Sequence, residues 1–346
     1  MYIACLIVSL LLHCPDALSS ALNSTYLCTV YTPNSILEQK ENFRPHILDG
    51  RTRYSTCTGA AWFHKTYLAV LNLYGRNITS YKFSAEEKTF ELFQTLGNQD
   101  GAALYNPENL TASPDGTVLA VCSDAPDPGV QLYAIDPETH CINPRPLFSL
   151  QAKGLVHNVR FTSDNTFLAL TGWDPEKSVC IYKIIRNGNS ITLNLVHSLG
   201  NDRPIKPKGI NFTKNDAFAV VCYAPRVTKE AQQQTGKRES LVVSYPFDTN
   251  TGKIGDAVSY KKITSTAEDL AFLHNDTEIM MTDQANDQLI ICPFNPHTGQ
   301  IGDTYTSLHN PEAHVSFPHG LGVSDNGKFF VVTNYGDDTF NLYEAK

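Results

Sequence analysis

Two glutamates, two histidines and a lysine stand at equivalent places in a repeat, one to each copy. They are Glu108, His157, Lys208, Glu268 and His319, with Thr58 at the same place in a weaker first copy. The intervals from one to the next are 50, 49, 51, 60 and 51 residues. Near neutral pH the imidazoles of His157 and His319 can serve as general base and general acid. Glu108 and Glu268 can take the same roles where burial raises their pKa. Lys208, with Arg203 and Lys206 just upstream, offers cations for a carboxylate or phosphate. A second set lies fifteen positions further on, fourteen in the first copy: Asn72, Ser123, Gly172, Tyr223, Asp283 and Asn334. Of these, Asn72, Tyr223, Asp283 and Asn334 are candidate substrate contacts. Both sets are polar and differ from copy to copy, whereas the positions around them are uniformly apolar. A substrate site explains that diversity; so does free variation at solvated loop edges.

The elements that must hold these residues are short strands. The clearest copies read ENLTASPDGTVLAVCSD, HNVRFTSDNTFLALTGW, KGINFTKNDAFAVVCYA, EDLAFLHNDTEIMMTDQ and HGLGVSDNGKFFVVTNY. Each opens on a short apolar strand and turns through Asn, Asp or Gly, residues that tolerate positive φ. A nearly continuous apolar run follows, such as residues 118–122 or 329–332, the mark of a strand buried on both faces. A third strand comes next, and the turns Thr-Gly-Lys-Ile-Gly-Asp (251–256) and Thr-Gly-Gln-Ile-Gly-Asp (298–303) lead into a fourth. A period near fifty with four strands per unit predicts an all-β protein, a β-propeller of four-stranded blades. One ring of 346 residues then replaces the two or three domains that length alone implies.

The last unit stops after its third strand, and a strand-like run, YLCTVY (26–31), is left over at the other end. Completing the last blade with that N-terminal strand removes two open sheet edges and gives six blades. Residues 26–49 can instead supply strands of a seventh. In such a ring the starts of the inner strands and the ends of the second strands share one face. Both polar sets therefore lie around one mouth of the central channel. The long insertion at 224–239, which carries Arg226, Lys229, Lys237 and Arg238, lies on the same face as a cover or a partner contact.

Residues 3–12 are apolar apart from Ser9, too short to span a bilayer but suited to a signal-peptide core, with Ser19-Ser20-Ala21 for cleavage. Residues 1–21 are thus expected to be a signal peptide, 22–346 a single propeller domain, and the protein secreted or periplasmic without a membrane span. Cys122, Cys180, Cys222 and Cys292 fall inside predicted strands and read as small buried hydrophobes. Cys28 with Cys57 is the one pair to test as a disulfide. Among the Asn-x-Ser/Thr sequences, Asn77 and Asn275 are the sites open to glycosylation in a eukaryotic source. A net charge of -8 with no basic run disfavours nucleic acid. There is no nucleophile elbow, phosphate-binding glycine loop or His-Glu-x-x-His. Oxygen ligands from Glu108, Glu268, Asp283 and Asn334 form no defined metal motif, so the expectation is no metal and no cofactor.

The Pro-Asp-Gly turn at 114–116, the strand ending Val331-Val332-Thr333-Asn334 and the two Thr-Gly-x-Ile-Gly-Asp turns resemble the lactonase-type propellers with YVTN repeats. That group includes 6-phosphogluconolactonase-like and carboxymuconate-cyclase-like proteins. The resemblance covers most of the chain, lies in structural repeat positions, and implies a propeller, usually of seven blades. It also implies a lactonase- or cycloisomerase-like activity on a small anionic sugar acid or dicarboxylate at the channel mouth. The other reading is a non-catalytic secreted propeller that binds a protein or glycan through the same face.

Overall fold

Turn chemistry comes first in building each blade. In four of the repeats a Ser or Thr ends the inner strand and an Asp or Asn follows two residues later. At Ser113 the hydroxyl donates to Asp115 Oδ1 (2.6 Å) and accepts from the Val118 amide (2.9 Å), while Asp115 Oδ1 accepts from the Thr117 amide (3.0 Å). Thr162 with Asp164, Thr213 with Asn215, and Ser324 with Asn326 repeat these contacts. The left-handed residue that closes the turn is Gly116, Asn165, Asp216 or Gly327, types that pay little for positive φ. The hairpin's conformation is thus fixed by contacts within the turn itself.

The structure, a computed structural model, describes residues 24–31, 46–48, 51–53, 56–124, 129–188, 190–201, 205–225, 238–309 and 313–345. The apolar segment 3–12, Arg203 and the greater part of the insertion (226–237) lie outside the described residues. Six antiparallel sheets of four main strands are arranged as a propeller. Their inner strands are Cys57–Phe63, Pro107–Ala112, Val156–Phe161, Lys206–Phe212, Ala267–Leu273 and Pro318–Val323. The second strands are buried nearly end to end, as their apolar runs require: Val118–Ser123 and Phe329–Asn334 have no exposed residue. Six hydrophobic clusters fill the spaces between neighbouring blades, the last joining Ala60 and Trp62 of blade 1 to Phe329 and Phe340 of blade 6.

That last cluster closes the circle, and the N-terminal strand finishes it. Ser24–Tyr31 pairs antiparallel with Thr339–Ala345 and becomes the outer strand of blade 6. Thr29 Oγ1 donates to Asn341 Oδ1 (2.7 Å), and Lys88 of blade 1 pairs with Glu344 (2.6 Å). There is no seventh blade among the described residues: His46–Leu48 and Arg51–Arg53 pair with each other alone. Cys28 and Cys57 are not joined to each other, and Cys57 is buried against Asn72. Asn77 is buried too, held by Asn72, so it is not the open glycosylation site expected; Asn275 is exposed. No helix among the described residues is long and apolar enough to cross a membrane.

Candidate functional site

Every inner strand carries a β-bulge at the same place. Pairing with the second strand slips by one residue between Cys57 and Gly59, Pro107 and Asn109, Val156 and Asn158, Pro207 and Ile210, Ala267 and Leu270, and Pro318 and Leu321. A bulge re-aims a side chain. Here it does so six times, at Thr58, Glu108, His157, Lys208, Glu268 and His319, all 8% exposed or less.

Five of these side chains make one connected cluster. His319 Nε2 lies 3.1 Å from Glu108 Oε1, and the same oxygen lies 3.2 Å from His157 Nε2. His157 Nε2 is also 3.1 Å from Glu268 Oε2 and 2.9 Å from Lys208 Nζ. Lys208 donates to Glu268 Oε2 at 2.9 Å. The two imidazoles stack, with ring centres 5.7 Å apart. His319 Nδ1 lies 2.8 Å from the Thr58 carbonyl, which can only accept, so that nitrogen carries a proton. Its other nitrogen faces the Glu108 carboxylate, also an acceptor. The geometry therefore describes His319 as an imidazolium.

The electrostatics agree. Burial alone would lower the His319 pKa, but the hydrogen bond and charge of Glu108, helped by Glu268, raise it above its ordinary value. Burial would raise Glu108; His319, His157 and Lys208 together hold it below the usual range. Burial would likewise raise Glu268, and Lys208 with the two histidines drives it well down. The condition under which Glu108 and Glu268 would act as acid or base, a pKa raised by burial, is thus not met. Each carboxylate is buried beside cations, and their attraction outweighs the lost hydration.

The cluster floors a cavity of about 290 Å³ whose upper walls include Tyr74, Asp124, Trp173, Gln284, Phe317 and Tyr335. Lys208 Nζ sits 5.5 Å from the centre of the Trp173 ring, and the Tyr335 ring stacks on His319. Below the floor is a second polar tier. The Asp269 carboxylate accepts from Arg160 (2.8 and 3.1 Å), Asn158 (2.8 Å), Asn109 (3.3 Å) and the Leu321 amide (3.0 Å). These groups come from blades 2, 3, 5 and 6, so the tier ties the ring across its axis.

The second set of sequence candidates does not join the site. Asn72 donates to Asn77 Oδ1 (2.8 Å), Asn334 donates to Thr339 (2.8 Å), and Tyr223 meets Tyr245 (3.0 Å). Asp283 accepts from the Thr266 amide (2.8 Å), Asn286 (2.7 Å) and Gln288 (2.5 Å). All four are buried fasteners within their own blades, which also removes Asp283 and Asn334 from any oxygen-ligand set with Glu108 and Glu268. The residue one position later lines the mouth instead: Leu73, Asp124, Trp173, Gln284 and Tyr335. Successive side chains of a strand point to opposite sides, and one step changes the face. Sequence reasoning also missed Asn109, Asn158 and Asp269. They occupy the place just after the first polar set, where the other blades carry Gly59, Gly209 and Gly320; that alternation of Gly with Asn or Asp was a readable signal.

Comparison with known proteins bears on the fold. No family model matches the chain, and no curated protein matches it. Among solved structures it is similar to the periplasmic gluconolactonase PpgL of Pseudomonas aeruginosa, at 17% identity and TM-score 0.52, over 77% of this chain and 76% of that one. It is also similar to a putative 6-phosphogluconolactonase of Bacteroides fragilis, at 13% identity and TM-score 0.57, over 92% and 89%. Hydrazine synthase of Kuenenia stuttgartiensis matches at 10% identity and TM-score 0.54, over 88% and 97%. The likeness establishes a propeller; proteins of different function share that architecture, so function rests on the site.

Proposed function

We propose that the protein is a lactonase-like enzyme that hydrolyses the lactone of a small sugar acid at this channel mouth. The observation that carries the reading is the chain of contacts His319–Glu108–His157–Glu268–Lys208 on the floor of an aromatic-walled cavity. Aromatic faces suit the C–H face of a sugar ring, and the polar floor suits its reactive carbonyl. His157 takes a proton from water as the water oxygen bonds to the lactone carbonyl carbon. Lys208, at the edge of the same floor, steadies the oxyanion and then the product carboxylate. The ring C–O bond breaks and His319 gives its proton to the leaving alkoxide. The Glu108 oxygen touches both imidazoles, so it can return the proton from His157 to His319 and restore the starting state.

The small anionic ligand expected from sequence enters here as the product acid. Lys208 is already paired with Glu268, so it meets that carboxylate as a shared cation. The polar, aromatic mouth also supports a second reading, a propeller that binds glycan without chemistry. Export to a secreted or periplasmic compartment, from the apolar segment 3–12, belongs to the proposal as well.

The test is hydrolysis of a panel of aldonolactones followed by acid release. His157→Ala and His319→Ala should each lower kcat/KM by about 10²–10⁴-fold, in protein that circular dichroism shows to be folded at the assay temperature. Full activity in the double variant would remove the enzyme proposal. Tight glycan binding with no turnover would favour the second reading.

A further inference from the structure

We propose that Glu108, His157 and His319 form a binding site for one divalent transition-metal ion, with Zn²⁺ the best fit by ligand chemistry. The claim stands on the geometry of the three side chains and not on the lactonase reading; a loaded site occupies the His157 lone pair and replaces the His319 proton, so the acid–base steps given above belong to the metal-free protein. Glu108 Oε1, His157 Nε2 and His319 Nε2 all lie within 4.8 Å of one another, and the two oxygen–nitrogen separations are 3.2 and 3.1 Å. Tetrahedral donors at zinc bond lengths stand roughly 3.4 Å apart, so small side-chain adjustments place an ion between them. Two imidazoles and one carboxylate with a position left open to a cavity is the ligand count of a catalytic rather than a structural zinc site.

Three further features favour a cation here. The Thr58 carbonyl holds the Nδ1 proton of His319, and such a hydrogen bond orients the other nitrogen outward as a ligand. That nitrogen faces a carboxylate oxygen, so something positive must lie between them: a proton, or a metal in its place. His157 Nε2 is approached by Glu108, Glu268 and Lys208 together, more partners than one ring nitrogen can serve. Coordination gives its lone pair one partner and leaves Lys208 to Glu268, which it already holds at 2.9 Å. The charges permit the exchange. Two carboxylates, one lysine and one imidazolium sum to zero; replacing the imidazolium proton with a divalent ion leaves one positive charge, which a bound hydroxide or an oxyanion neutralises. Among the described residues His157 Nδ1 has no hydrogen-bond partner, so His157 is the less firmly oriented ligand of the two histidines.

The experiment uses the full chain, stripped with a chelator and dialysed. Co²⁺ is titrated in as a spectroscopic probe and Zn²⁺ is followed by calorimetry. The expected result is one equivalent per chain, visible cobalt absorption of a low-coordinate nitrogen–oxygen site that Zn²⁺ abolishes, and a Zn²⁺-dependent rise in Tm of the unmodified protein. Glu108→Gln and His319→Gln, which keep side-chain volume, should each weaken binding at least tenfold, His157→Gln somewhat less. No stoichiometric binding to the unmodified protein, or binding that survives in the His157→Gln/His319→Gln double variant, would overturn the proposal. Binding is read without substrate. A metal-loaded protein inert on every lactone therefore defeats only the lactonase reading, and a chelator-insensitive lactonase that takes up no metal defeats only this one.

Discussion

Glu268 shows how burial and charge compete at a single residue. Taken alone its desolvation would keep it protonated; with Lys208 at 2.9 Å and His157 at 3.1 Å it stays ionised far into acid. The sign of its linkage to stability follows. Glu108 and Glu268 have depressed values, so their contribution is present above the ordinary carboxyl pKa of 4.5 and is lost as pH falls through their folded values. His319 is raised, so its contribution is complete below 6.5 and is lost as pH rises through its folded value. Thermal melts across pH should therefore show highest Tm between those two ordinary values. His319→Gln should flatten the alkaline limb and also weaken the acid limb, because His319 helps hold both carboxyls down. A Tm that climbs steadily with pH through 8 would contradict the charged state described for His319. The sequence displayed these five residues plainly, because each is a polar exception at an otherwise apolar place. It did not display their pairing. Which charge neutralises which depends on neighbours across the channel, so the sign of the carboxyl shifts could not be read from burial alone.

At the scale of elements, the bulged inner strand is the device that matters. It turns one side chain per blade onto the floor, and the next place is filled by Gly where strands crowd and by Asn or Asp where they are tied. A methyl added at Gly209 would stand 2.9 Å from both the Asp269 Cα and the Leu270 amide. Gly209→Ala should destabilise the protein by about 1–3 kcal/mol, measured by denaturant unfolding; a neutral result would mean that the strands are not this close. Asp269→Ala removes the acceptor shared by Arg160, Asn158 and Asn109 and strands a buried guanidinium. A loss of about 3–5 kcal/mol is expected, and Arg160→Met in the same chain should recover part of it. Hairpins and apolar runs were legible because Ser/Thr with Asp/Asn at fixed spacing, and nearly continuous apolar runs, are local signals. Bulges were not, since an extra residue on one strand shows only against its partner. That is why Asn72, Tyr223, Asp283 and Asn334 stood one place away from the residues that line the mouth.

At the scale of the whole molecule, the floor exists only while the circle is closed. Its groups come from blades 2 to 6, and the Thr58 carbonyl from blade 1 orients His319. Closure depends on the strand Ser24–Tyr31 against Thr339–Ala345, an outcome readable from the missing outer strand of the last repeat. Deleting residues 22–31 should expose that edge, lower the unfolding midpoint and promote aggregation, seen by size-exclusion chromatography. A monomer of unchanged stability would show that closure lies elsewhere. The central claim is that residues from distant repeats act as one unit on this floor. It is tested most directly by kcat/KM for lactone hydrolysis in four proteins: unmodified, Glu108→Gln, His319→Gln and the double variant. If the shared contact at 3.1 Å is the working link, the double variant loses little more than the worse single one. Losses that multiply, or variants as active as the unmodified protein, would contradict it.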